Sequence, residues 1–435
     1  MTETDPGNAI AHLVLDSQRW MHRRVDTLRM DEHGRTRLSV SIDLTVPEGP
    51  GGSERSVLVP LALVGKGTLT SLSTRGPTGN PMPVLGADDN ARVSQLMLTA
   101  LARRLMPAAV ARSDRLSEKF WGVVQSDVLV ARHWFRRYVV WREQAQIPYS
   151  GGLDVFEGLL RTLRGHFLLL VELDADLVGR RVVVKYSHET HEPDAEGRTT
   201  RLPASFTMPF GQVGWARSWH LEVHAPPGTA IVALEAQQTD ASGAAATPPA
   251  GAPGGVHGDG ARAAVAADSA PGLAHVAVRP GSRVTDAVVR FALTPQRTGL
   301  RGTSLWGAWL ATAALIVAAL GRWTDLDVLA SPLTDSAPVS ILLTGPALLL
   351  SWISRAPEHP LAARLLRPVR RALAISAGSL LALALVVAVP LAPTLEDALL
   401  ATAVVVQGTT TVRLSRLWWR VGVQRRIGGA TEVEP

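Results

Sequence analysis

Cysteine is absent from the 435-residue chain, which excludes disulfide frameworks, thiolate metal sites, iron–sulfur clusters and cysteine nucleophiles. Lysine is scarce: Lys66, Lys119 and Lys185 stand beside 41 arginines. Nucleotide and hydrolase motifs are missing as well. Gly65-Lys66-Gly67-Thr68 lacks the leading glycine of a phosphate-binding loop, and Gly254, Gly255, Gly258 and Gly260 lack the flanking strand and helix of a dinucleotide fingerprint. No G-x-S-x-G elbow occurs, so the chain is read as a non-enzyme unless a metal site supplies chemistry. The first residues, MTETDPGNAIAHLVLDSQRW, have no basic start with an apolar core and small-residue cleavage site, so residues 1–300 are expected to stay in the cytoplasm.

What is present is an uneven distribution of charge. Residues 1–300 hold 32 basic against 30 acidic side chains, and 301–435 hold 12 against 8, so most of the net +6 lies in the last third. That third also contains charge-free apolar runs, which makes a bilayer the expected partner and nucleic acid an unneeded one. A span needs roughly 20 apolar residues. Runs at 302–321, 336–354 and 372–395 meet that length, and 398–412 is a shorter fourth with Gln407, Thr409, Thr410 and Thr411. Arg355, Arg364, Arg367, Arg370 and Arg371 follow the second run, and Arg413, Arg416, Arg420, Arg425 and Arg426 follow the fourth. Asp325, Asp327, Asp335, Glu396 and Asp397 occupy the other connections. The positive-inside rule therefore predicts four crossings of the plasma membrane, both termini cytoplasmic, and arginines against anionic lipid. The alternative for the fourth run is an amphipathic helix lying on the inner leaflet. Ala374, Gly378 and Ala382 place small residues at four-residue spacing, a face for close helix packing.

The soluble part reads as α+β and multidomain. Residues 1–165 form an expected α/β domain, with strands Leu38–Val46 and Ser56–Val64 opening a sheet and a helix capped by Asp89 or Asn90 running to Leu105. A helical stretch over 113–143 mixes Phe120, Trp121, Trp134, Phe135, Tyr138 and Trp141 with Arg132, Arg136, Arg137 and Arg142, read as core aromatics with a solvated arginine face. Two other readings of that stretch are single-strand nucleic-acid stacking and docking of its arginines on the inner leaflet. Asp154 and Glu157 have capping-box spacing, and Gly165 is placed to end the helix they start. Residues 166–295 form an expected β-sandwich-like domain, with strands at 167–173, 181–186, 218–224, 229–236, 274–278 and 283–293. Within it, 22 of the 33 residues 239–271 are Ala, Gly or Pro, a composition read as a disordered loop. The segment from 413 is a basic tail.

Two clusters carry possible metal chemistry. His220, Glu222 and His224 share one face of a strand at i, i+2 and i+4, and His188 and His191 lie beside Glu189 and Glu192 in an expected hairpin tip. A divalent metal is the one cofactor they suggest, with a polar strand face as the alternative. The segments SWHLEVHAPPG (218–228), AHVAV (274–278) and ILLTGPALLLSWISRAPEHPLAARLL (341–366) resemble a group of uncharacterised membrane proteins of actinobacterial type. The resemblance covers about the last half of the chain and implies a soluble N-terminal region before a transmembrane bundle. The expected function is a membrane-held cytoplasmic binding or scaffolding module for a protein partner or small ligand. A transporter or pore gated by the soluble region is the alternative, and a metal-dependent enzyme the third.

Overall fold

The computed structural model describes residues 5–31, 35–51, 55–67, 71–106, 114–147, 151–190, 193–196, 203–239, 272–278, 286–296, 300–324, 360–388 and 392–428. The fold is mixed α and β. Helices α1 (Pro6–Leu15) and α2 (Ser17–Trp20) lead into strands β1 (Met21–Met30), β2 (Thr36–Thr45), β3 (Ser56–Gly65) and β4 (Ser73–Arg75). Four helices follow: α3 (Ala87–Leu105), α4 (Asp114–Gln125), α5 (Val128–Gln144) and α6 (Gly151–Leu163). Then come β5 (His166–Asp174), β6 (Arg181–Thr190), β7 (Asp194–Glu196), β8 (Ala204–Phe210), β9 (Ser218–His224), β10 (Thr229–Thr239), β11 (Leu273–Val278) and β12 (Asp286–Pro295). Helices α7 (Leu300–Trp323), α8 (Pro360–Ala388) and α9 (Pro393–Gly428) close the chain.

The strands build three sheets: β11-β9-β1-β2-β6-β4, β10-β12-β8-β7 and the pair β3-β5. This corrects the expected division at residue 165. β1 pairs in parallel with β9, β2 pairs with β6, and β3 pairs with β5, so each early strand finds a partner beyond the expected boundary. β2 and β3 do not form the expected opening sheet. One hydrophobic cluster runs from Ile10 through Leu293, and Phe210 of β8 meets Trp219 of β9 with ring centroids 5.8 Å apart. Two independent domains cannot be cut from a sheet whose strands alternate between them.

β1 is central although its sequence, MHRRVDTLRM, looks solvated. Its buried face carries Arg24 and Asp26, joined Nε to Oδ1 at 2.7 Å, and Trp219 Nε1 donates to the other Asp26 oxygen at 3.0 Å. Burial works against the Arg24 charge, but the adjacent carboxylate outweighs it and holds the guanidinium above its ordinary pKa.

The expected helix over 113–143 breaks at Ser126–Asp127, where Asp127 caps α5 by accepting from the Leu129 and Val130 amides, both at 2.9 Å. Its aromatics are core: Phe120, Tyr138 and Phe156 are buried and mutually in contact, with centroids 5.6–6.2 Å apart. Glycine at 122 leaves room there, because a Cβ would run into the Trp134 ring. Two local expectations are corrected. Glu157 is no capping residue: it is buried and accepts from Tyr138 Oη at 3.2 Å and Arg142 at 2.7 Å, while α6 already begins at Gly151. Asn90 lies inside α3, where its amide donates to the Leu168 carbonyl of β5.

Among the described residues two helices are long and apolar enough to cross a membrane, Ser304–Gly321 and Pro393–Arg416, against four expected spans. Only 28% and 33% of these windows is buried, unlike the core helix of a soluble protein. The run 336–354 lies outside the described residues, as do the alanine-rich residues 240–271. The run expected at 372–395 is no single helix: α8 starts earlier at Pro360 and ends at Ala388, and a new helix begins at Pro393. The shorter fourth run sits inside the longest of the described helices, which extends 36 residues and takes in most of the basic segment after 413.

α9 runs antiparallel to α7 and α8. Leu414 packs at the level of Ala308 and Ala372, and Leu400 and Ala403 pack at the level of Leu315 and Ala319. Leu361 and Leu365, in the first turns of α8, belong to the main β-rich core. The start of α8 therefore packs directly on the β-rich part.

Candidate functional site

Helix α6 has two useful faces. Leu153, Phe156, Leu160 and Leu163 enter the core, while Val155, Leu159 and Thr162 border a cavity of 790 Å³. The lining also includes Val14 and Leu15 of α1, Gln18 of α2, Leu63 of β3, and Trp215 from the connection between β8 and β9. That volume lies in the range of small-molecule sites.

The floor is held by an unusual residue. Gln212 has a left-handed backbone, φ 61° and ψ 27°, which costs a non-glycine residue about 1 kcal/mol. Its amide grips the Leu63 backbone at both ends, Oε1 accepting from the N–H at 2.5 Å and Nε2 donating to the carbonyl at 2.7 Å. Its own N–H donates to Asp286 Oδ1 at 2.7 Å, and its carbonyl accepts from Arg24 at 3.4 Å. A continuous polar chain thus joins the cavity floor to the buried Arg24–Asp26 pair. Burial pushes the Asp286 carboxyl above the usual carboxylate range, with the Gln212 amide acting against it. His166 borders the same floor, its Nδ1 donating to the Thr162 carbonyl at 3.0 Å.

Arginine forms the rim. Arg132 of α5 and Arg161 and Arg164 at the end of α6 all line the cavity. Burial lowers the Arg164 pKa, and the neighbouring Arg132, Arg161 and Arg136 lower it further, a sign that like charges crowd this edge. The Arg164 guanidinium lies over Phe135, 5.6 Å from the ring centroid. Among the described residues neither Arg132 nor Arg164 forms an ion pair with a carboxylate. Apolar walls under a positive mouth can seat a ligand that carries negative charge.

The expected cluster on β9 does not assemble, and the expected hairpin-tip cluster lies partly outside the described residues. Among the described residues no group of three His, Asp or Glu side chains is placed to hold a metal ion. His220, Glu222 and His224 do share a face of β9, but alternate residues of a strand stand about 7 Å apart and do not converge. Two of them have other company: His220 Nδ1 is hydrogen-bonded to His275 Nε2 at 3.1 Å, and Glu222 accepts from Thr27 Oγ1 at 3.1 Å. Burial, then Arg23 and His275, lowers the His220 pKa. His188 is stacked on Tyr186 and bonded to the Glu189 carbonyl, and His191 lies outside the described residues.

Lys66, in the glycine–lysine element, caps α4 by donating to the carbonyls of Val123 and Ser126 at 2.6 and 2.9 Å. Burial brings its pKa down to about 8.

Of the expected small-residue seam, Ala374 and Gly378 are exposed and Ala382 is half-buried; Gly378 and Ala382 border a groove with Ala398 and Thr402 of α9, while the fully buried face of α8 includes Leu373, Ser376 and Ala377. Gln407 and Thr411 line no lumen among the described helices. Gln407 Nε2 donates to the Ala308 carbonyl at 3.0 Å and Ser376 Oγ at 2.9 Å, and Thr411 Oγ1 bonds Thr312 Oγ1 at 2.8 Å. Thr409 and Thr410 bond the Val406 carbonyl of their own helix. Of the expected lipid-facing arginines, Arg364, Arg367, Arg370 and Arg371 lie in the first turns of α8, and Arg413, Arg416, Arg420, Arg425 and Arg426 toward the end of α9, while Arg355 lies outside the described residues. The level shared by Ala372 and Leu414 brings the two sets to one end of the bundle.

The cavity itself draws residues from eight segments between Val14 and Asp286, so no local motif announces it. The one available signal is R-x-x-R at 161–164 directly after an amphipathic helix.

No family model matches the chain, and no curated protein matches it.

Proposed function

We propose that the chain is a multi-pass protein of the plasma membrane whose cytoplasmic part is a binding module, with the arginine-rimmed cavity as its ligand site. The cavity carries this reading: its apolar lining shields part of a small molecule from water, and its arginines let it choose by charge. The membrane assignment is supported by exposed Trp306, Trp309 and Trp323, since Trp306 and Trp323 lie about 25 Å apart along α7, near the separation of two headgroup layers. The collected arginines at the soluble end of α8 and α9 favour the cytoplasm for that side. Four crossings satisfy this arrangement, the run 336–354 returning the chain between α7 and α8. A gated pore draws less support, because Gln407 and Thr411 are engaged between helices.

The absence of cysteine makes the topology directly testable. Arg75→Cys marks the soluble part and Thr394→Cys the far end of the bundle, with every reagent signal arising from the introduced thiol. A membrane-impermeant maleimide applied to intact cells is expected to label Thr394→Cys and to spare Arg75→Cys until the cells are lysed. Labelling of Arg75→Cys in intact cells overturns the cytoplasmic placement. Native mass spectrometry of the protein in nanodiscs is expected to find a co-purified small molecule that Leu159→Trp, which fills the cavity, removes.

A further inference from the structure

We infer that the cavity takes a single-chain acidic amphiphile, its phosphate or carboxylate head on Arg132, Arg161 and Arg164 and its aliphatic stem along Leu15, Leu159 and Trp215. This rests on the binding-module reading above and specifies its ligand. The two halves of the site make different demands. Arg132 and Arg161 are exposed, so a free inorganic anion on the rim would keep much of its water and gain little. Most of the remaining lining is apolar, with Leu15, Leu63, Val155, Leu159 and Trp215 in it, and each buried methylene of a ligand stem adds about fourfold in affinity. An uncharged alkyl chain would fill the walls but leave the Arg132 and Arg164 guanidiniums, which pair with no carboxylate among the described residues, without a counter-charge. Only a molecule with both parts answers both demands. Asp286, at the floor, disfavours a second anionic group at the far end of the stem, which makes a monoacid with one charged end the fitting shape. Two sources could deliver this chemistry: a lysolipid or fatty acid from the bilayer in which α7 and α9 sit, or a water-soluble acyl or alkyl phosphate.

The test uses the full chain in zwitterionic nanodiscs, with protein-free nanodiscs as background and octyl phosphate, octanol and inorganic phosphate as probes. Octyl phosphate is expected to bind at least tenfold more tightly than either of the others. Arg132→Gln with Arg164→Gln is expected to weaken octyl phosphate about tenfold and leave octanol unchanged. Leu159→Trp, or Val155→Trp should the first variant unfold, is expected to abolish octyl phosphate binding. Displacement of octyl phosphate by equimolar lysophosphatidate assigns the bilayer as source, and its failure to compete assigns a soluble one; both fit the inference. Octanol binding as tightly as octyl phosphate overturns it. Inorganic phosphate binding as tightly overturns it too, while leaving the cavity a ligand site. If no probe distinguishes the wild-type chain from the filled variants, and native mass spectrometry finds no co-purified molecule, the binding-module reading falls as well.

Discussion

In the β-rich core Arg24 and Asp26 bury full charges 2.7 Å apart, whereas between α7, α8 and α9 the buried groups around Gln407 are neutral amides, hydroxyls and a carbonyl. Both sets sit out of water, and the difference lies in what surrounds them. The core pair is supported on every side, with Trp219 donating to Asp26 and the carbonyls of Gly211 and Gln212 accepting from Arg24 at 3.3 and 3.4 Å. An ion pair in hydrocarbon has no such reserve of dipoles, and polar contacts there are limited to groups that carry no net charge. Gln407 shows the edge of that tolerance, since its Oε1 is buried without a hydrogen-bond partner. Neutrality of the buried groups goes with the long apolar helices, while paired charges conceal a central strand.

The comparison breaks most visibly at the core pair. Arg24→Met leaves the Asp26 carboxylate buried without its partner, and the expected destabilisation is about 3–5 kcal/mol, read from the unfolding midpoint in denaturant. Replacing both residues, Arg24→Met with Asp26→Leu, is expected to recover most of that loss. If the single and double variants are equally damaged, the pair is not what organises β1. Next in size is Gln407→Glu, which places a charge where only neutral groups lie; about 3 kcal/mol is expected from thermal unfolding in nanodiscs. Gln407→Leu removes two donated bonds and the unsatisfied oxygen together, so it is expected to cost no more than about 1 kcal/mol. A leucine variant as damaging as the glutamate would mean that the amide itself, not its neutrality, holds the helices in register.

Lys66 is an intermediate case, a cation buried at the edge of the core with only carbonyls to receive it. Its pKa falls to about 8 in the fold against 10.5 for an ordinary lysine, so between those values the unfolded chain holds the proton and the folded chain does not. Stability is therefore expected to rise with pH from 8 to 10.5 by this residue's contribution, and to lose that contribution as pH falls through 8. Thermal midpoints across that window, compared with Lys66→Met, check the sign: the slope should flatten in the variant. An unchanged slope would assign the effect to other groups.

How much of this was legible depended on whether the signal was local. β9 appears at the residues its alternation predicts, because Trp219, Leu221 and Val223 point inward without exception. β1 was hidden because two of its inward positions are charged, and β8 because Thr207 and Pro209 interrupt a short run. The boundary at 165 failed for a different reason: nothing in the composition of 21–30 announces that its neighbour is 218–224. At the candidate site, Arg132 stood out among aromatics, but Arg161, Arg164, Gln212 and Asp286 came together only through long-range pairing. The histidine face was visible and misleading, since sharing a strand face is weaker than converging on a point. His275, which does meet His220, lies on a neighbouring strand 55 residues away.

The smallest expected effect is also the most pointed comparison. Arg181 and Asp43 make a two-pronged contact, Nε to Oδ1 at 2.8 Å and a terminal guanidinium nitrogen to Oδ2 at 2.6 Å, geometry at least as good as that of Arg24 and Asp26. The bond to Arg181 holds the Asp43 carboxyl below its ordinary pKa, so its stabilisation is present above the usual carboxylate range and lost as pH falls through the lowered value. Yet the Arg181 side chain is 67% exposed, against 6% for Arg24. Water and salt already serve both partners in the unfolded chain, and ordering two long side chains offsets much of what remains. Arg181→Gln is therefore expected to shift the unfolding midpoint far less than Arg24→Met, and the shift should shrink further in molar salt, where Arg24→Met keeps its effect. Equal effects from the two substitutions would show that geometry rather than burial sets the strength of these pairs, and the contrast between the charged β core and the neutral helices would lose its physical basis.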